Sequence, residues 1–581
     1  METQTRKAEP QPSSPELLRA IGLKEAIAIN IGCVIGSGIF LVPATIAGHL
    51  HAMGPIMLVW IVAGFLTFFG ALSLAELSSF LPKSGGPYIY LRESYGKIWG
   101  FLFSWNDFFI NKAGSVAAVA IAFTIYLGVL VPAIGSSAPF YQPGWTIFGH
   151  PFTFGWSQLI AIIAIALVTL INVRGVNLGA QVMNIFTTAK VAALLFLILG
   201  AFVSSKASFA NMQPWWPESW SSELTAAFGL AMISALWAYD GWIDVTLTAG
   251  ETKNPTRNVP LALIISTLAI LALYLSANIA YALIIPISEM PNSTRIAADV
   301  AAIAIGPIGA VIIIAGIMCS TFGTLNGMTL AGPRSIWATG HDRVFAPALG
   351  KVHPRFRSPH VAIITIGIWA ALLTLSGTYD QLTAYVVFGS WFFYAVTAVG
   401  VIVLRRKFPD APRSYRAWGY PIVTLLFTFI AGWFIYNTLL EDTRDALIGI
   451  GLLVLSLPFY FYWGQHKQGG TKEVVTVNTS GQGKSSLVPT EILKWNWGAF
   501  FLSWIWGLAN RSYIALLVFV PFLNIIMIFV LGAAGNIWAW QNKHWESIAH
   551  FQRVQKKWSQ WGVGVFIVWV IAFLAAVIFN L

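Results

Sequence analysis

The chain has 581 residues, 57% of them hydrophobic and only 10% charged, with a mean hydropathy of +0.71. So little polar surface cannot cover the cores of a water-soluble globular protein, and lipid is the expected solvent. The formal charge of +11 must then be read as a matter of membrane topology before nucleic acid is invoked, and two cysteines, Cys33 and Cys319, both in apolar runs, argue against a disulfide framework or a metal site.

Residues 1-20 read as a cytoplasmic tail and not a cleaved leader, because no apolar core precedes Ile21. Apolar runs of about 18 residues or more follow at 23-49, 54-81, 98-131, 154-173, 178-204, 223-250, 259-285, 305-338, 359-376, 380-404, 418-438 and 444-462. Lys and Arg in the tail and loops around these twelve spans divide 23 to 3, with only Lys206, Arg295 and Arg444 on the minority side. That imbalance predicts a multi-pass protein of the cytoplasmic (inner) membrane with its N-terminus in the cytoplasm.

The first span is interrupted. Its stretch "IGCVIGSGIFLVP", Ile31 to Pro43, carries Gly32, Gly36, Gly38 and Pro43. Irregular backbone at membrane depth is tolerated only where protein shields it or where it lines a cavity, since each unpaired amide in hydrocarbon costs several kcal/mol. A break over Gly36-Ser37-Gly38 aims the N–H groups of the next half-helix at an anion, while carbonyls near Val34 and Ile35 face a cation. Such a helix suits both ends of a zwitterion; the same glycines also suit a close helix-packing contact. The sixth span, "AMISALWAYDGWIDVTLTAGETKNPTRNVP", holds Asp240-Gly241 in mid-run. Two interrupted helices, each opening a set of five, form the pattern of an inverted-repeat transporter with a midplane substrate.

Charges inside spans are few, as expected when an unpaired ion at the bilayer centre costs at least about 2.5 kcal/mol. Glu76, near the cytoplasmic end of the second span, suits a structural partner better than a proton carrier. Asp107 and Lys112 are five residues apart in the third, off the usual i,i+4 pairing. Lys190 lies mid-span in the fifth, where it either neutralises the negative end of a half-helix or snorkels. Asp240 is either a cation-attracting wall or a cap on the second half-helix.

The motifs "GSGIF", "AELSSFLPKSGGPYIYLRESYG", "WAYDGW", "GETKNPTRNVP" and "GPRSIWATGHDRVFAPALGKVHPRFRSP" together resemble the L-type amino-acid transporter family, bacterial type, of the amino acid, polyamine and organocation superfamily. The resemblance runs from about residue 20 to 462. It implies an all-α polytopic membrane protein with a LeuT-like 5+5 inverted repeat, twelve core helices with helices 1 and 6 interrupted, and sodium-independent amino-acid exchange. Carried over by position, it places substrate at Val34, Ile35, Gly36, Ser37, Gly38, Trp237, Tyr239, Asp240 and Gly241. The carboxylate would sit on the N–H groups of Ser37 and Gly38, and the ammonium on carbonyls near Val34, Trp237 and Asp240. A side chain on Gly38 should therefore block substrate while sparing the fold. Trp237 matches the family's outer aromatic gate, its alternative being one more core or lipid-facing aromatic. Lys190 matches the lysine that takes the place of a sodium ion. Ile243 stands where some animal members carry Asn. Animal members also bind a heavy-chain glycoprotein through a cysteine between helices 3 and 4, but "VPAIGSSAPFYQPGWTIFGHPFTFG" has none, so no disulfide-linked subunit is expected.

Beyond the 21-462 core, residues 463-490 are rich in Gly, Ser, Thr and Lys and read as a flexible linker. Residues 491-581 read as a small membrane domain with about two further spans, its polar, Trp-spaced stretch being a candidate third, interfacial segment. It resembles bacterial membrane domains of unknown function. The chain shows no HExxH, no paired Cys ligands, no GxSxG and no Walker-type loop. No enzyme, cofactor or metal is therefore expected. The expected partners are an amino-acid substrate and membrane lipid, and the expected activity is sodium-independent transport, by exchange, of small neutral amino acids. Proton-coupled import and amino-acid sensing on a transporter fold are the alternatives.

Overall fold

The computed structural model describes residues 17–441 apart from 132–133, 135–138, 142–145, 148–149, 152–153 and 376–378, a few residues between 451 and 460, and 478–579 apart from 494 and 520–522. The chain divides into two compact units, Met1–His341 with Ala348–Gly449, and Asp342–Pro347 with Ile450–Leu581. The twelfth predicted span, 444-462, lies largely outside the described residues.

The first unit is helical, with α1 Leu23–Val34, α2 Gly38–Leu50, α3 Met53–Phe80, α4 Pro87–Tyr95, α5 Lys97–Asn106, α6 Ala113–Leu130, α7 Trp156–Val173, α8 Val176–Val203, α9 Ser222–Ala238, α10 Asp244–Leu247, α11 Pro255–Ile284, α12 Ile296–Ala304, α13 Pro307–Ala331, α14 Pro333–His341, α15 His360–Leu373, α16 Tyr379–Lys407 and α17 Ile422–Glu441. A two-stranded hairpin, Thr146–Ile147 against His150–Pro151, departs from the all-helical expectation in the loop before α7. Among the described residues, seven helical stretches are long and apolar enough to cross a membrane.

Burial explains why such apolar helices stand side by side. α7 and α8 turn Leu170, Ile185, Leu199 and Val203 outward, as a lipid-facing surface allows. α1, by contrast, has Ala26, Ile29, Asn30, Gly32, Cys33 and Val34 buried and packs on α8, α11 and α13. Taken together with α2, the stretch that breaks, Leu23–Leu50, is the most buried of the seven long apolar stretches. Between α5 and α6 the backbone takes a π-helical turn, Asp107–Lys112, a feature frequent at functional sites.

The second unit comprises α18 Trp497–Ala509, a 3₁₀ turn Tyr513–Phe519, α19 Leu523–Asn542 and α20 Ile548–Phe579. Its core gathers Trp506, Leu531, Trp540, Trp545 and Phe551. A buried amide network runs through it: Asn496 donates to Asn536 at 2.7 Å and Gln555 at 2.9 Å, while Trp506 Nε1 also donates to Gln555 at 2.8 Å. Ser480 and Gly481 extend the unit toward the N-terminus. Ser480 Oγ accepts from the Trp545 amide at 2.8 Å, and the Gly481 amide donates to the Trp540 carbonyl at 2.9 Å. The unit therefore includes residues that composition alone gives to the linker.

Candidate functional site

A helix end leaves its last carbonyls without intrahelical partners, and in a membrane core each must find another donor. The break after α1 meets this demand with side chains from three helices. The Ile35 amide still donates to Ile31 at 2.8 Å, and the Gly36 amide to Val34 at 2.8 Å. The Lys190 ammonium from α8 donates to the carbonyls of Gly32 at 2.9 Å and Ile35 at 2.6 Å and to Thr324 Oγ1 at 2.8 Å. Ser320 and Thr324, one turn apart on α13, both reach the Ile35 carbonyl at 3.0 Å. Tyr274 from α11 donates to Val34 at 3.2 Å and Ala238 at 2.9 Å, so one phenol bridges the ends of α1 and α9.

Ser37, with φ −81° and ψ −25°, precedes α2, whose first residue is Gly38. Pro43 lies inside α2 and cannot donate to Ile39. The Ile39 carbonyl accepts from Tyr281 instead, at 3.1 Å.

The second break spans Tyr239 to Ile243, between α9 and the single turn of α10. Gly241 has φ +99°, and a Cβ there would lie 2.9 Å from the Cys33 carbonyl. A Cβ on Gly38 would come within 2.7 Å of Ala238 Cα. The two breaks therefore touch backbone to backbone, and each glycine marks a contact point. For Gly38 this corrects the expectation that an added side chain spares the fold. Gly36 is different, because the nearest atom its added Cβ would meet is in the Thr324 side chain, at 3.4 Å.

Trp237, one residue before the end of α9, is 7% exposed. Tyr239 packs on Trp60 and Tyr274, with ring centroids 5.9 and 4.9 Å away. Asp240 Oδ1 accepts from the Tyr394 hydroxyl at 2.8 Å, while Oδ2 makes no hydrogen bond among the described residues. Cys33 is buried beside this contact and Cys319 partly buried on α13, both as free thiols.

The remaining buried charges find partners that spacing along the chain does not reveal. Lys112 pairs with Asp244, both side chains fully buried, and Asp107 takes a hydrogen bond from Ser335. Glu76 accepts both forks of Arg405, at 2.7 and 2.6 Å, and the Ala417 amide at 2.8 Å, with Arg413 at 3.4 Å. This is a structural clasp at the end of α3. Sequence reasoning missed the buried pair of Glu251 and Arg334, at 2.8 and 3.0 Å. The Glu251 carbonyl also accepts from the amides of Ala20 and Ile21. The motif "GPRSIWATGHD" supplied the arginine, but nothing linear ties it to position 251.

Two discontinuous helices that meet backbone to backbone, in a bundle whose long stretches are apolar enough to cross a membrane, give the architecture of a polytopic membrane protein. Residues 21–457 match the family described as amino acid permease. The b(0,+)-type amino acid transporter 1 of Homo sapiens is 30% identical over 470 residues, covering 80% of this chain and 92% of that protein. The serine/threonine exchanger SteT of Bacillus subtilis (strain 168) is 31% identical over 455 residues, covering 77% and 97%. The large neutral amino acids transporter small subunit 2 of Homo sapiens is 31% identical over 457 residues, covering 78% and 82%. The chain belongs to the amino acid permease family, whose members among these relatives are transporters and not enzymes.

Proposed function

We propose that this chain exchanges small neutral amino acids across the cytoplasmic membrane, without sodium, by alternating access in a 5+5 inverted repeat whose N-terminus is cytoplasmic. The observation that carries this reading is the Lys190 ammonium, held by the Gly32 and Ile35 carbonyls and Thr324 at the end of α1. A fixed cation there neutralises the negative end of the half-helix that a bound metal ion would otherwise balance. The substrate carboxylate takes the N–H groups of Ser37 and Gly38 at the start of α2. Its ammonium takes carbonyls near Val34, Trp237 and Asp240, with Tyr274 leaving Val34 as substrate enters and Trp237 closing the outer side. The name of SteT, a serine/threonine exchanger, supports small substrates. Both cysteines lie in helices and the loop before α7 has none, which supports action without a disulfide-linked partner.

The test is counterflow in sealed proteoliposomes loaded with unlabelled serine. Labelled serine should enter at equal rates in sodium and choline buffers, and uptake that needs sodium would overturn the reading. Proton-coupled import is the second reading, favoured by three buried carboxylates, Asp107, Asp240 and Asp244, of which Asp244 alone is paired with an ammonium, that of Lys112, among the described residues. Uptake into empty liposomes driven by an inward proton gradient would establish it.

A further inference from the structure

The second unit carries a groove made from its own residues. Between α18 and α20 lies an open groove of about 510 Å³, lined by Leu502, Val554, Lys557, Trp558, Trp561 and Val565, within the roughly 300–1,000 Å³ of ligand sites. Its floor is fixed by close backbone approach: a Cβ on Gly498 would meet Trp558, and one on Gly562 would lie 3.0 Å from the Trp497 carbonyl. Every lining side chain is apolar or aromatic except Lys557.

The helix that forms one wall changes character at this point. Arg553, Lys556 and Lys557 precede Trp558 and Trp561, and residues 562–579 carry no charge. Tryptophan at such a boundary marks the headgroup level of a bilayer. Arg553, Lys557 and Trp561 follow one another at i,i+4 along one side of α20, so the cations stand directly above the groove. All three basic residues are exposed, none forms an ion pair among the described residues, and α20 contains no acidic residue. An open apolar groove with uncompensated cations at one end is complementary to a molecule with an apolar tail and an anionic head.

We propose that this groove binds one anionic phospholipid of the surrounding bilayer. An acyl chain lies along Leu502, Val554, Trp558, Trp561 and Val565, and the headgroup phosphate sits on Lys557 and Arg553 with Lys556 beside it. The long basic side chains lay their stems on the apolar wall and keep their charges at the headgroup. Anionic lipid of the cytoplasmic leaflet supplies that charge at the membrane surface.

The full-length protein in detergent, titrated with dioleoylphosphatidylglycerol or dioleoylphosphatidylcholine and followed by native mass spectrometry, tests this. The wild type should hold one phosphatidylglycerol more tightly than any phosphatidylcholine. Replacing the exposed cations together, Arg553→Gln with Lys556→Gln and Lys557→Gln, should weaken that adduct roughly tenfold or more and leave phosphatidylcholine unchanged. Val554→Trp fills the slot while keeping the cations, and should weaken it similarly. Retention of the adduct at wild-type strength by the triple variant overturns the proposal. So does equal binding of phosphatidylcholine, or displacement of the lipid by millimolar inorganic phosphate, which would reduce the site to an ion contact.

Discussion

Gly36 and Gly38 stand two residues apart and tolerate a side chain very differently. Beside Gly38 is the Ala238 backbone, so Gly38→Val must push α2 away from α9 and should lower the unfolding temperature as well as abolish binding. Gly36 faces Thr324 at ordinary contact distance, and Gly36→Ala should fold normally, making it the cleaner probe of how near a substrate comes to the backbone. Thermal unfolding beside serine binding separates the two, and equal stability of both variants would refute the assignment. Gly241→Ala should be worse than either, because it adds positive-φ strain of about 1–2 kcal/mol to a clash with Cys33. Lys190→Met leaves the Gly32 and Ile35 carbonyls to the Ser320 and Thr324 hydroxyls alone. Unpaired buried groups cost about 1–3 kcal/mol each, so counterflow should fall roughly tenfold or more and the unfolding temperature should drop. Near-normal exchange by a Lys190→Met protein would remove this lysine from the mechanism.

At the scale of elements, the broken helices persist because neighbours complete them. α8, α11 and α13 each lend a hydroxyl or ammonium to carbonyls that α1 and α9 leave open. Another long-range contact, Glu251 with Arg334, joins the segment after α10 to α14. Arg334→Leu strands the buried Glu251 carboxylate, and removing one partner of such a pair costs about 3–5 kcal/mol. The double change Arg334→Leu with Glu251→Leu should recover most of that loss, because two apolar side chains leave no charge uncompensated. Unfolding temperatures of the single and double variants decide it; a double variant no more stable than the single would show that the pair does not act as a unit.

For the whole molecule, the question is what the second unit adds. Its helices bury their own tryptophan core and satisfy their own amides, so its folding need not depend on the carrier's. A chain ending near Gln465 should therefore still exchange amino acids in proteoliposomes at a rate close to that of the full chain. An inserted, folded but inert truncation would make the unit part of the transport machinery.

The membrane class, the positions of most long apolar helices, the two interruptions and a lysine in mid-run at position 190 were legible in the sequence. Hydropathy and glycine placement are properties of consecutive residues, and a lone lysine in an apolar run announces its own cost. Which groups meet was not legible. Asp107 and Lys112 share a π-helical turn, yet Lys112 pairs with Asp244 132 positions later. Nothing in local spacing links Tyr274 to Val34 and Ala238, or Arg334 to Glu251. Gly38 looked like room for a substrate, and in the fold the Ala238 backbone lies against it. The chain's own order specifies where a membrane helix must break, because an unpaired amide in lipid is intolerable. Only the packing of distant helices decides which side chains answer it, because in a low-dielectric core the nearest donor or counter-charge in space prevails, however far away it lies in the chain.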